Sequence, residues 1–259
     1  MRFSRNKLAW CITGAGHHLF ESIEVMEELA TRGFDITVFI SQAGLEVIRM
    51  YGLEKRLRAI ADGGYYRELV TPSDGASCSK AGRLSMGRYI ALVASPTTAN
   101  TVAKVVNGIA DTPPTIAIAQ ALKGGVPVFV VPTDAEPEYE TETPHVVDRD
   151  LCQAHRCGEC RPSKSCPTGA FEILEGLGHI DLSKCIGCSL CLRECPFGAV
   201  KFRVKVRARS SPVDLENVRR LSSMKGVVLL RRPREVLQEV EKLLTTLPSS
   251  KGFMELTCR

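Results

Sequence analysis

Short apolar runs alternate with amphipathic stretches through the first 145 residues of this chain. The apolar runs at 8–13, 36–40, 89–94 and 126–131 predict strands. Between them, apolar residues recur at helical intervals, as in the stretch that begins at Phe20. Apolar strands that alternate with helices indicate a parallel sheet covered by helices on both faces.

The same alternation resumes near the C-terminal end. An apolar run at 226–230 lies between two helical patterns, at 213–223 and 234–244. One strand and two helices, roughly 48 residues, cannot bury a core of their own, so we expect them to complete the N-terminal sheet. The fold class is therefore α/β, with a flavodoxin-like parallel sheet. The prediction assigns residues 1–146 and 208–259 to this domain and 147–207 to an insert, joined by polar linkers at 134–144 and 209–212.

Eight of the eleven cysteines lie in two runs within the predicted insert. The second run, from Cys185 to Pro196, reads C-x2-C-x2-C-x3-C-P, the spacing with which bacterial-type ferredoxins hold iron–sulfur clusters. Structural zinc also uses C-x2-C pairs, but it gives no reason for a third cysteine at the same interval followed by Cys-Pro. An odd number of cysteines in this spacing argues against disulfides.

The first run is less regular: Cys152, Cys157, Cys160 and Cys166 are separated by four, two and five residues. The eight residues from Cys166 match those from Cys195 in type, so the insert resembles a duplicated α+β two-cluster ferredoxin. In that family the fourth cysteine of each run ligates the other cluster. The resemblance implies two [4Fe–4S] clusters, although the irregular first run leaves a degraded or modified cluster open. By this resemblance, one of the two clusters would be held by Cys152, Cys157, Cys160 and Cys195. The other cluster would be held by Cys166, Cys185, Cys188 and Cys191.

The remaining cysteines, Cys11, Cys78 and Cys258, are expected to be non-ligands, with Cys11 buried in a strand. Thiolate ligands need a reducing compartment, and no apolar run reaches the ~18–20 residues of a membrane span. We therefore expect a cytoplasmic protein without a signal peptide. Two clusters with their thiolates would lower the formal charge from +5 to about +1, so nucleic-acid binding is not indicated.

Polar loops follow three of the predicted strands. They contain the glycines of Thr13-Gly-Ala-Gly16, the pair Ser41-Gln42 and the stretch from Ser95 to Asn100. Ligands of open parallel sheets bind at the carboxyl ends of strands, and helix N-termini there suit a phosphate, although plain N-capping would also explain the hydroxyls. A nicotinamide site is disfavoured because Leu19 replaces the third glycine of its motif. FMN, with one phosphate and one- or two-electron chemistry, fits better.

Four segments resemble the archaeoflavoproteins of the homo-oligomeric flavin-containing decarboxylase-like superfamily: 9–18, 95–104, 108–111 and 120–124. The form with an inserted ferredoxin resembles the acceptor-dependent dihydromethanopterin reductases of methanogenic archaea. The resemblance implies FMN, a homo-oligomer, a pterin substrate and ferredoxin or another one-electron donor. The FMN contacts that it implies are Gly14, Gly16, Ser41, Gln42, Ser95, Thr97, Thr98 and Asn100.

On this interpretation electrons pass from the donor through two clusters to FMN and reduce dihydromethanopterin to tetrahydromethanopterin. The alternative is an electron-transfer flavoprotein without an organic substrate; a flavin-dependent decarboxylase or prenyl transferase would not need clusters. No catalytic residue is predicted, and His17-His18 are interpreted as cap or packing residues. The segment 62–87 is interpreted as a lid or surface loop, and the alternating basic residues of 201–209 as a solvated strand face or a docking surface.

Overall fold

The computed structural model describes residues 6–74, 77–153 and 157–246. Its strands are β1 (Lys7–Ile12), β2 (Asp35–Ile40), β3 (Leu69–Val70), β4 (Ala91–Thr97), β5 (Val128–Pro132), β6 (Glu138–Glu142), β7 (Val146–Val147), β8 (Phe171–Leu174), β9 (Leu177–Ile180), β10 (Val200–Lys201), β11 (Lys205–Arg209) and β12 (Val227–Leu229). Its helices are α1 (Leu19–Thr31), α2 (Gln42–Met50), α3 (Glu54–Ile60), α4 (Ser77–Ser85), α5 (Ala99–Val106), α6 (Pro113–Lys123), α7 (Arg161–Ser165), α8 (Leu190–Glu194), α9 (Pro212–Ser222) and α10 (Glu235–Thr246).

Six parallel strands form the central sheet, in the order β12-β5-β4-β1-β2-β3. The α/β prediction is confirmed. So is the prediction that the C-terminal strand completes the N-terminal sheet, because β12 pairs with β5 at one edge. The domain boundaries at 146/147 and 207/208 stay a prediction.

Alternate residues of each central strand enter two different cores. In β1, Leu8, Trp10 and Ile12 pack with α1, α3 and α10, whereas Ala9 and Cys11 pack with α4, α6 and α9. Both faces of the sheet are thus buried, which explains why the strands read as apolar runs. Cys11 is fully buried, as expected, and its burial raises the pKa of the thiol.

Two predicted boundaries were wrong. The loop expected from Ser95 begins later, because β4 continues through Thr97, which pairs with Pro132 after an irregularity at Ser95–Pro96. The segment 62–87 is not simply a lid or loop: it contains β3 at the sheet edge and α4, whose Ala81 and Leu84 are fully buried. The side chain of Cys78, and the whole of Cys258, lie outside the described residues.

The predicted linker at 134–144 also contains a strand. β6 pairs with β11 in an antiparallel ribbon, in which Glu138, Glu140 and Glu142 oppose basic residues. Arg209 and Lys205 form ion pairs with Glu138 and Glu140 across this ribbon. The solvated strand face predicted at 201–209 is confirmed for Lys205–Arg209, which is mostly exposed.

Candidate redox site

The first cysteine group combines residues from both sequence runs. The pKa of Cys160 is raised, and burial is the largest cause. The neighbouring Cys157, Cys152 and Cys195 raise this pKa further. Cys195 ends the second run, so the structure brings it to the cysteines of the first. The backbone N–H of Gly178 donates to Cys152 Sγ at 3.2 Å. Such a donor stabilises a thiolate.

The second cysteine group surrounds a small cavity lined by Cys166, Cys185, Cys188 and Cys191. Burial is the main cause that raises the pKa of Cys191 to about 11, and the other three cysteines add to it. The backbone N–H of Phe171 donates to Cys166 Sγ at 3.4 Å. Here Cys166, from the first run, joins three cysteines of the second.

Two short helices bring the cysteines together in a symmetric way. Cys166 directly follows helix α7, and Cys195 directly follows α8. A proline comes after each cysteine and prevents the helix from continuing. Three residues after each cysteine, Gly169 and Gly198 adopt φ values of 65° and 60°. Their N–H groups donate to the carbonyls of Cys166 and Cys195, at 3.3 and 3.2 Å. The internal repeat of the sequence is therefore a repeat of structure.

The spacing of these side chains does not match a mononuclear site. Across the described residues, no three His, Cys, Asp or Glu side chains lie close enough to hold a single metal ion. Zinc would draw its sulfurs to about 2.3 Å from one point. Four cysteines around a small apolar cavity suit an iron–sulfur cluster.

The loops that follow β1, β2 and β4 form one connected surface. Thr13 Oγ1 accepts from the N–H of Thr98 at 2.8 Å and donates to the carbonyl of Pro96 at 2.9 Å. A Cβ at Gly14 would lie 2.5 Å from Ala43 Cβ, and one at Gly16 would lie 2.3 Å from Tyr51 Oη. Glycine at these two positions lets the first loop pack against Ala43 and Tyr51, and the loop has no side chain there.

Ser41 and Thr98 cap the helices that begin at this surface. Ser41 Oγ accepts from the N–H of Gly44 at 3.0 Å, and Thr98 Oγ1 accepts from that of Thr101 at 3.4 Å. Capping and phosphate binding are compatible, because the remaining N–H groups of the first turn still point outward. Asn100 is exposed on the first turn of α5. These residues, with Gly14 and Gly16, lie at adjacent strand ends.

The structure does not bring three predicted side chains to the same surface. Ser95 and Thr97 are buried in β4, where Ser95 Oγ bonds to Ser22 Oγ at 2.7 Å and Thr97 Oγ1 donates to the carbonyl of Ala94. Gln42 bonds to Glu46 and lines a separate cleft of about 680 Å³. The extension of β4 is the reason for the first two placements.

Two adjoining clefts near this surface were not predicted from the sequence. They measure about 250 and 460 Å³ and share His17, His18, Glu140 and Arg232. The His17 ring lies 3.8 Å from the His18 ring and 5.0 Å from that of Tyr139. His18 is the N-cap residue of α1 without a side-chain cap bond, so the pair packs rather than caps.

A short hydrogen-bonded chain lies beside these rings. Tyr139 Oη donates to Asp134 Oδ1 at 3.0 Å, and Thr133 Oγ1 donates to Asp134 Oδ2 at 2.6 Å. Burial, followed by the charge of Asp134, raises the pKa of Tyr139 to about 12. Burial lowers the pKa of His17, and that of His18 to about 4. At neutral pH the phenol is therefore protonated and both imidazoles are neutral.

The doubly covered parallel sheet, its bare glycine loop and the two cysteine groups define the class of iron–sulfur flavoproteins. The flavoprotein family matches residues 2–146, and the chain belongs to this family. A 4Fe-4S binding domain matches residues 179–201. None of the helices in the described part of the chain is long and apolar enough to cross a membrane.

Two relatives match almost the whole chain. Dihydromethanopterin reductase (acceptor) of Methanosarcina mazei is 42% identical over 240 residues, which are 91% of this chain and 99% of the relative. The protein of the same name from Methanocaldococcus jannaschii is 43% identical over 242 residues, 92% of this chain and 97% of the relative. Both are oxidoreductases by name, and this chain is an oxidoreductase of the same kind.

A solved structure has a similar fold. The crystal structure of Burkholderia xenovorans DmrB in complex with FMN, described as a cubic protein cage for redox transfer, matches with a TM-score of 0.57. Its identity to this chain is 27%, and the match covers 94% of this chain and 97% of DmrB.

Proposed function

We propose that this protein accepts single electrons from ferredoxin or a similar donor, carries them through two [4Fe–4S] clusters to FMN, and reduces dihydromethanopterin to tetrahydromethanopterin. The observation that carries the proposal is the sorting of eight cysteines into two groups of four beside a glycine-lined strand-end surface. The relatives of the same length bear the name of this activity.

The chain offers a fitting site for each cofactor. The two cysteine groups would hold one cluster each, and N–H donors at Cys152 and Cys166 would stabilise the thiolates. The N-terminus of α5 at Thr98 would hold the FMN phosphate, and the loop with Gly14 and Gly16 lies at the adjacent strand end. FMN, when bound, supplies the conversion of one-electron input into hydride transfer.

The clefts at His17 and Tyr139 supply a site for the acceptor and its proton. Reduction of a carbon–nitrogen double bond adds a hydride to carbon and a proton to nitrogen. Tyr139 Oη keeps its proton at neutral pH and donates it to Asp134. A pterin nitrogen bound in the cleft would take the place of Asp134 as the acceptor of this O–H, and Tyr139 would then supply the proton. Neutral His17 lies against the same ring, with the centroids 5.0 Å apart.

Anaerobic turnover with reduced donor and dihydromethanopterin tests this function. The intact protein should consume the pterin, and Tyr139→Phe should lower kcat about 100-fold or more with flavin and iron content unchanged. Tyr65→Phe is the control, because Tyr65 is 73% exposed and lies outside these clefts. Fully loaded protein that reduces no pterin but passes electrons to another protein would support the alternative, an electron-transfer flavoprotein without an organic substrate.

Flavin binding and assembly can be measured together. We infer a homo-oligomer from the family resemblance and from the cage assembled by DmrB. Thr98→Ala with Asn100→Ala should lower FMN content while iron stays constant. Thr112→Ala is the control: it also removes the N-cap of a helix, worth about 1 kcal/mol, but this helix follows no strand. Light scattering that showed a flavin-loaded monomer, or a bound cofactor other than FMN, would contradict these assignments.

A further inference from the structure

One of the residues that line the cavity of the second cysteine group also stacks on an aromatic ring outside the cavity. His145 lines this cavity, is 1% exposed, and hydrogen-bonds through Nε2 to Ser189 Oγ at 2.9 Å. Its ring stacks on that of Phe202 at a centroid distance of 4.2 Å and an angle of 16°. His145 therefore joins the cysteine cavity to an aromatic group outside it.

The aromatic contacts continue to the glycine loop. Phe202 lies 6.1 Å from the ring of Tyr51 and 6.2 Å from that of Phe20. Tyr51 Oη donates to the carbonyl of Glu142 at 2.6 Å and lies directly against Gly16, where an added Cβ would approach it to 2.3 Å. A continuous series of packed rings thus connects the second cysteine group with the loop that is predicted to contact FMN.

A direct backbone contact holds the two regions together. Gly187, between the ligands Cys185 and Cys188, packs on the turn that follows α2. A Cβ at Gly52 would lie 2.5 Å from the carbonyl oxygen of Gly187, and one at Gly187 would lie 2.2 Å from the nitrogen of Gly52. Both glycines have positive φ, 71° and 63°. This approach is possible only because neither residue has a side chain.

The hydrogen bonds of the first cysteine group lie within the iron–sulfur segment. The N–H of Cys152 donates to the carbonyl of Asp148, and that of Lys164 donates to the carbonyl of Cys160. The N–H of Gly178 donates to Cys152 Sγ. Among the contacts of the described residues, the close backbone approach to the turn after α2 belongs to the second cysteine group.

We propose that the cluster held by Cys166, Cys185, Cys188 and Cys191 delivers electrons to the flavin, that the other cluster receives them from the donor, and that the Gly52–Gly187 contact sets the transfer distance. This inference rests on the proposed function. A reduced low-potential iron–sulfur protein would give one electron to the cluster held by Cys152, Cys157, Cys160 and Cys195, and this electron would go on to the cluster held by Cys166, Cys185, Cys188 and Cys191. Two such electrons, with protons from solvent, would complete the reduction of one flavin.

Widening the backbone contact tests the proposal. Gly52→Ala should slow the reduction of flavin by photoreduced clusters several-fold, without changing iron or flavin content or the electron paramagnetic resonance spectrum of the reduced clusters. Gly33→Ala is the matched control, since Gly33 also follows a helix with positive φ and has no atom within 4 Å of an added Cβ. An unchanged transfer rate in Gly52→Ala, or an equal slowing in Gly33→Ala, would overturn the role of the contact.

Removal of one cluster at a time tests the order. The reductant is a small one-electron donor chosen because it reduces the flavin only slowly in the cluster-free variant Cys191→Ala/Cys195→Ala. With it, Cys157→Ala/Cys160→Ala should still show fast flavin reduction from the remaining cluster, whereas Cys188→Ala/Cys191→Ala should reduce its remaining cluster but transfer slowly to flavin. The reverse result would overturn the order and leave the proposed function intact. Wild-type protein that contained one cluster or no flavin would refute the proposed function itself.

Discussion

Wild-type protein reconstituted under anaerobic conditions should contain about eight irons and eight acid-labile sulfides per chain. Cys157→Ala/Cys195→Ala removes two ligands of one group and should leave about four irons. Cys191→Ala/Cys195→Ala removes two cysteines of the same sequence run that belong to different structural groups. This variant should lose both clusters. The reason is the crossed arrangement of the two runs. Cys195 lies near Cys160. Cys166, in turn, lines the same cavity as Cys191.

Iron and sulfide analysis with electron paramagnetic resonance provides the measurement. If clusters were held by each sequence run alone, the two double variants would exchange their results. Replacement of the buried Cys11, which lies in the sheet core, should leave iron content unchanged and serves as the control. Four irons in wild-type protein, or zinc in place of iron, would refute the two-cluster assignment.

Deletion of the iron–sulfur segment should separate electron entry from flavin chemistry. Glu142 and Lys205 are directly opposed in the ribbon, so an Asn-Gly turn in place of residues 143–204 would close it as a hairpin. We expect this variant to bind FMN and to reduce dihydromethanopterin when its flavin is reduced chemically. It should lose reduction by ferredoxin, because both cysteine groups are absent.

Stopped-flow absorbance of the flavin at a fixed ferredoxin concentration gives the comparison. The double-cluster variant Cys191→Ala/Cys195→Ala in the full-length chain is the matched control, since it loses the clusters but keeps the polypeptide. Both proteins should be slow with ferredoxin and normal with chemical reductant. If the deletion variant were reduced by ferredoxin as fast as wild type, the clusters would not lie on the electron path.

Features that follow from patterns among residues close together in the sequence were predictable. The strands were found because Leu8, Trp10 and Ile12 face one core while Ala9 and Cys11 face the other, which makes the whole run apolar. The cysteine groups were predicted through the internal repeat and the known crossing in ferredoxins. Spacing alone would have grouped each run separately, since it contains no information on which chain segments meet.

Some contacts between distant residues were missed. The basic residues that alternate from Lys205 predicted a strand face, but the acidic residues that alternate at Glu138, Glu140 and Glu142 were assigned to a linker, so the pairing of the two segments was not predicted. The burial of Ser95 follows from hydrogen bonds to Ser22 and Trp10, far away in the sequence. Likewise, nothing near His145 indicates that it would line a cysteine cavity.

The position of β12 has a consequence for biosynthesis. β5 and β12 are neighbours in the sheet, yet the ribosome makes the entire cysteine-rich segment between them. The edge of β5 therefore stays unpaired until that segment has emerged, and an unpaired edge is prone to association with other chains. Assembly of the clusters can begin before the sheet is complete, because all eight cysteines of the two groups precede β12 in the chain.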